Sequence, residues 1–88
     1  MDKVYMVIES YYEGRWIPYS VILYKTHDMA MKGFNELINE ALKETPGVSV
    51  EYYGSSVAEI GYFRFTVETV PVVDENYQLG TQMTIVLI

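Results

Sequence analysis

The fold is decided by residues 26–46, THDMAMKGFNELINEALKETP. Apolar residues recur there at spacings of three and four, which predicts an amphipathic helix with one buried face. Thr26 can cap the start, and Pro46 ends the helix because proline cannot continue the hydrogen-bond ladder. Glycine at position 33 costs about 1 kcal/mol of helix propensity relative to alanine, so we expect it to allow a close approach to a sheet. The predicted buried face consists of Ala30, Gly33, Phe34, Leu37, Ile38, Ala41 and Leu42.

The opposite face of this helix carries a row of acidic residues. Glu36, Glu40 and Glu44 follow one another at a spacing of four, so their like charges mildly destabilise the helix. Such a ridge could bind a basic partner or imitate a run of phosphates. The alternative is an outer face that contacts only water. We keep these three glutamates as candidate partner-binding residues.

In the remainder of the chain apolar and polar residues alternate, which is typical of β-strands. Short loops between the strands predict a mainly antiparallel sheet of five strands, in the order β-β-α-β-β-β, with one helix packed on one face. Pro18 removes a ladder donor within the second strand, which predicts an edge position or a bulge there. The fold class is therefore α+β, and residues 1–88 form a single domain. The predicted strands are 3–12, 16–25, 48–53, 59–73 and 79–88.

Composition restricts the function. Twelve acidic residues against six basic ones give a net charge of −6, which disfavours nucleic acid and anionic membranes as partners. No apolar run approaches the roughly 20 residues that span a bilayer. The alternating strand begins almost at Met1, so we expect no signal peptide and a cytoplasmic location. The chain lacks cysteine, and no spacing predicts a metal site, a cofactor or a set of catalytic residues. We expect a protein that is not an enzyme.

Tyrosine is unusually frequent, with nine residues among 88. One helix cannot cover both faces of a five-stranded sheet, and both alternating sets of strand residues are rich in apolar side chains. The sheet must either curl on itself or be covered by a second molecule, and we favour a homodimer. The tyrosines that we select as candidate partner-binding residues are Tyr11, Tyr12, Tyr52 and Tyr53.

The first half of the chain resembles a group of small uncharacterised bacteriophage and prophage proteins. Residues 4–7 (VYMV), residues 21–26 (VILYKT) and the early helical Ala30 carry this similarity, which covers about residues 3–40. The resemblance implies a small accessory protein that acts in the host cytoplasm. Small acidic phage proteins include inhibitors of host defence nucleases.

We favour the first of three functions, and the other two are alternatives. The first is an interaction protein, such as a phage-encoded accessory factor or an inhibitor of a host protein with a basic surface. The second is a module that binds a small, nucleotide-like molecule in a tyrosine-lined pocket at a dimer interface. The third is a structural component of a virion.

Overall fold

The structure, a computed structural model, describes residues 3–71 and the backbone of residues 84–87. The elements in chain order are β1 (Lys3–Tyr12), β2 (Trp16–Tyr24), α1 (His27–Glu44), β3 (Val50–Tyr52), β4 (Val57–Ile60), β5 (Phe63–Pro71) and β6 (Thr84–Leu87). They form one sheet in the order β3-β4-β5-β1-β2-β6. The first five strands of that order pair antiparallel, and β6 pairs parallel with β2. The predicted α+β class, with one helix on a mainly antiparallel sheet, is confirmed.

The helix begins and ends where the sequence predicts. The Thr26 side chain accepts a hydrogen bond from the Met29 N–H at 3.2 Å, so it caps the first turn. Thr45 ends the helix, and its N–H donates to the Ala41 carbonyl. Four residues of the predicted apolar face are fully buried: Ala30, Gly33, Phe34 and Ile38.

Two strands differ from the prediction. The single strand predicted over 59–73 is a hairpin, because β4 and β5 are joined by a two-residue turn at Gly61 and Tyr62. Gly61 has a φ of 57°, and glycine at the first turn position is the pattern of a type II′ turn. The strand predicted over 79–88 is described only at 84–87, where it pairs parallel with β2 and not as the second arm of a hairpin. Residues 72–73, 79–83 and 88 of these predictions lie outside the described residues.

Pro18 lies at a bulge, as predicted. Glu9 pairs with Ser20, whereas the next residue, Ser10, pairs with Pro18. Tyr19 is therefore the extra residue of β2 and has no direct partner on β1.

Each face of the sheet has its own buried cluster. The cluster beneath the helix consists of Val7, Tyr24, Ala30, Phe34, Ile38, Ala58, Ile60 and Phe65. On the other face, Met6, Val21 and Val70 are buried and Val4, Ile8 and Leu23 pack against them. Since these three are buried within a single chain, the apolar surface left for a second molecule is smaller than the sequence pattern suggested.

Gly33 lies directly against Tyr24. A Cβ atom added at Gly33 would collide with the Tyr24 hydroxyl and would lie 2.6 Å from the ring carbon Cζ. Tyr24 is itself buried. The expected role of Gly33 in close helix–sheet packing agrees with this contact.

Replacing Phe34 by alanine tests the position of the helix face. Phe34 is 1% exposed in the centre of the core, so Phe34→Ala should lower the free energy of unfolding by about 3–5 kcal/mol. The neighbouring exposed Asn35 provides the control, because Asn35→Ala should change stability by less than about 0.5 kcal/mol. Urea unfolding followed by circular dichroism measures both. A loss below about 1 kcal/mol for Phe34→Ala would place the buried face elsewhere.

Replacing Gly33 by alanine sets two effects against each other. Alanine improves helix propensity by about 1 kcal/mol, whereas overpacking a core costs about 1–3 kcal/mol. Because a Cβ at position 33 would collide with the Tyr24 ring, we expect Gly33→Ala to lower the free energy of unfolding by about 1–2 kcal/mol. In a Tyr24→Ala background the same change should become stabilising. A double-mutant cycle measures the coupling, and additive effects would contradict the contact.

Candidate interaction site

Aromatic side chains gather at one end of the sheet, where β1 ends, β2 begins and the β4–β5 hairpin turns. The Tyr12 N–H donates to the Tyr62 carbonyl at 2.8 Å, which ties this turn to the end of β1. Both of these tyrosine side chains are exposed. Large aromatic side chains at a surface are typical of protein contacts. We call this region the aromatic end, and it contains Tyr11, Tyr12, Trp16, Tyr19, Tyr62 and Phe63.

On the face away from the helix, the aromatic end holds an arginine between a ring and a carboxylate. The Arg64 guanidinium carbon lies 4.3 Å from the centre of the Trp16 ring. Its Nε and Nη2 donate to Oε2 of Glu59 at 3.0 and 2.6 Å. The ring of Tyr12 meets Trp16 edge-on, with centroids 5.2 Å apart. Arg64 is thus satisfied within the chain by a cation–π contact and a charge-assisted pair.

This network continues to the outer strand β3. Glu51 lies directly opposite Glu59 in the β3–β4 register, so Arg64 reduces the repulsion between two like charges. The Tyr53 hydroxyl donates to Glu51 at 2.8 Å. This hydrogen bond and the Glu51 charge raise the pKa of Tyr53. The face away from the helix is therefore internally paired at this end.

On the helix side, the aromatic end forms a cleft of about 140 Å³ between the last turns of α1 and the sheet. Phe63 at the start of β5 and the bulge residue Tyr19 both line it, and each is 38% exposed. We call it the acidic cleft, and its lining residues are Glu9, Tyr19, Leu37, Glu40, Ala41, Glu44, Thr45, Phe63 and Phe65.

The acidic cleft has a negative electrostatic environment. Burial raises the pKa of Tyr19, and the carboxylates of Glu9 and Glu44 raise it further because they disfavour a phenolate. None of the residues that line the cleft in the described part of the chain is basic. The cleft therefore combines apolar and aromatic walls with three carboxylates, an arrangement that suits a cation.

Residues 3–71 and 84–87 contain neither a cluster of metal-binding side chains nor a helix that could span a membrane. No group of three His, Cys, Asp or Glu side chains in these ranges could hold a metal ion. The helix they contain is not long and apolar enough to cross a membrane.

The structure divides the candidate residues between several places. Glu40 and Glu44 line the acidic cleft, but Glu36 lies one turn earlier in α1 near Tyr24, whose pKa is raised by burial and further by the Glu36 charge. Tyr11 lies near Tyr19, with ring centroids 5.9 Å apart.

The other candidate tyrosines lie away from the cleft. Tyr12 contacts Trp16 on the opposite face of the sheet. Tyr52 ends β3 and Tyr53 follows it, three strand spacings or about 14 Å from β1. The seven residues therefore do not form one site.

Glu9, Tyr19 and Phe63 line the cleft, although the sequence pattern did not indicate them as site residues. Glu9 occupies an ordinary strand position, and only its pairing with Phe65 places it beneath the helix end. Tyr19 had a signal beside it, because Pro18 predicted the bulge that sets Tyr19 apart from the regular pairing. Phe63 faces the helix side of β5 together with Phe65, but the turn at Gly61 leaves it partly exposed at the strand start.

The chain was also compared with known proteins. It matches no family model, and neither a curated protein nor a solved structure is significantly similar to it.

Proposed function

We propose that this protein is a small, non-enzymatic interaction protein that binds a basic protein surface through its aromatic end. The observation that carries this proposal is the acidic cleft, where carboxylates of Glu9, Glu40 and Glu44 surround apolar and aromatic walls. Exposed Tyr and Trp side chains are frequent energetic centres of protein interfaces. The net charge of −6 favours approach to a basic partner.

The acidic cleft favours a protein partner over a nucleotide. Pockets for small molecules usually measure about 300–1,000 Å³, whereas the cleft measures about 140 Å³. Its three carboxylates would repel phosphate groups. A nucleotide-binding module remains the alternative, and stabilisation by one nucleotide in a thermal-shift screen would favour it.

We extend the proposal to the cellular setting on the strength of the resemblance over residues 3–40. The protein acts as a phage-encoded accessory factor or inhibitor of a host protein in the host cytoplasm. A virion component is the alternative, and ordered higher assemblies of the pure protein would favour it.

We also propose a homodimer. β3 lies at one edge of the sheet, and an edge strand offers unpaired backbone groups to a second chain. Tyr52 and Tyr53 beside that edge are 56% and 52% exposed, and Val48 is also exposed. Pairing of two β3 edges would cover these side chains.

The homodimer is tested by its mass in solution. Sedimentation velocity at low micromolar concentration should give about twice the chain mass of 10.2 kDa. Tyr52→Lys should shift the protein to a monomer, because it adds charge beside the proposed interface. Tyr62→Lys is the matched control at an exposed tyrosine in the β4–β5 turn and should leave the dimer intact. A monodisperse wild-type monomer would exclude the dimer.

The basic partner is tested by association kinetics. A protein captured from the host by affinity pull-down should associate roughly three- to tenfold more slowly with the double variant Glu40→Gln/Glu44→Gln at low salt, with a flatter salt dependence.

The double variant Glu36→Gln/Glu68→Gln is the control, because it removes the same charge away from the aromatic end. If both double variants slowed association equally, only the net charge of the protein would matter. No slowing by either pair would exclude the acidic cleft as the contact surface.

A further inference from the structure

We propose that the acidic cleft binds a single arginine side chain of a basic protein segment. This inference rests on the proposed function and specifies the group that the partner inserts. The cleft lies between Tyr19 and Phe63 on the sheet and the last turns of α1, and no basic residue among those described lines it.

The size of the cleft fits one side chain. A buried cavity of about 150 Å³ can hold a benzene molecule, and the acidic cleft measures about 140 Å³. Leu37 and Ala41 give it an apolar wall on the helix side, along which the methylene groups of a long basic side chain can pack. The carboxylates of Glu40 and Glu44 belong to the same two turns of the helix and lie near the charged head of such a chain.

The chemistry of the lining favours a guanidinium group over an ammonium group. A guanidinium is planar, stacks on aromatic faces and donates several hydrogen bonds at once, whereas an ammonium is a compact and strongly hydrated charge. Tyr19 and Phe63 supply the rings, and Glu9 supplies a half-buried carboxylate beside them. The Tyr19 hydroxyl is protonated at neutral pH, because the pKa of tyrosine lies near 10 and burial, together with the Glu9 carboxylate, raises it further.

The chain already binds one guanidinium in this way on its other face. Arg64 lies 4.3 Å from the centre of the Trp16 ring and donates two hydrogen bonds to Glu59. The acidic cleft presents the same two kinds of group, aromatic rings and carboxylates, without an arginine of its own among the described lining residues. An arginine from a partner would complete the same arrangement.

The experiment uses the full chain and short peptides, so that it does not depend on identifying the partner. Acetylated, amidated peptides Gly-Ser-X-Ser-Gly are titrated into ¹⁵N-labelled protein, with X as arginine, lysine or the neutral isostere citrulline. The arginine peptide should shift the amide signals of Tyr19, Ala41 and Phe63. The citrulline peptide should bind at least about tenfold more weakly, because it lacks the charge-assisted hydrogen bonds. The lysine peptide should bind about threefold more weakly.

Two matched variants locate the binding. Glu44→Gln should lower the affinity for the arginine peptide about fivefold to tenfold, because Glu44 lines the cleft. Glu36→Gln removes an identical charge on the same helix and should change the affinity less than about twofold, because screening weakens the effect of a distant charge. Tyr19→Ala should weaken binding, whereas Tyr19→Phe should retain it because the aromatic ring remains.

Several results would overturn the inference. If the citrulline or lysine peptide bound as tightly as the arginine peptide, a guanidinium would not be required. If Glu44→Gln and Glu36→Gln changed the affinity equally, the acidic cleft would not be the binding site. If the peptides fail while the captured partner still depends on Glu40 and Glu44, the proposed function stands without the arginine. If the arginine peptide binds in the cleft but the captured partner associates equally fast with the Glu40→Gln/Glu44→Gln variant, the proposed function fails and the arginine site stands.

Discussion

The contact between Gly33 and Tyr24 sets how closely the helix lies on the sheet. A side chain at position 33 would meet the Tyr24 ring, so the absence of a Cβ brings α1 near to β2. Close packing is the condition under which Phe34 and Ile38 lose water completely. The cost of glycine within a helix, about 1 kcal/mol, is small beside the burial of these two side chains. The core beneath the helix depends on this one approach.

The short connection between β2 and α1, together with the length of the helix, places the acidic cleft. Only two residues separate β2 from α1, so the helix starts at the end of the sheet opposite the aromatic end. Eighteen helical residues extend about 27 Å, which is close to the roughly 30 Å of the nine-residue strand β2. The last turns of α1 therefore return to the level at which β2 began. Glu40 and Glu44 therefore lie beside Tyr19, which the bulge at Pro18 leaves outside the regular pairing of β1 and β2.

The sequence predicted the parts that depend on local chemistry. The cap at Thr26, the end before Pro46, the buried helical stripe and the bulge at Pro18 each follow from a few neighbouring residues. The hairpin turn at Gly61 had a local signal too, but the strong alternation on both sides outweighed a single glycine. The parallel pairing of β6 and the meeting of Glu9, Tyr19 and Glu44 had no local signal. They depend on which strands become neighbours, and that is decided by the whole chain.

The two faces of the aromatic end differ in whether their charged side chains are paired within the chain. This difference points to the acidic cleft as the contact surface. On the face away from the helix, Arg64 joins Trp16 and Glu59 in a network that the chain completes by itself. Opening that network to bind a partner would leave a half-buried charge without its pair, which is costly. On the helix side, the cleft carboxylates face exposed aromatic rings and no basic side chain among the residues described there. A basic partner would gain attraction at that face without breaking an ion pair within the described part of the chain.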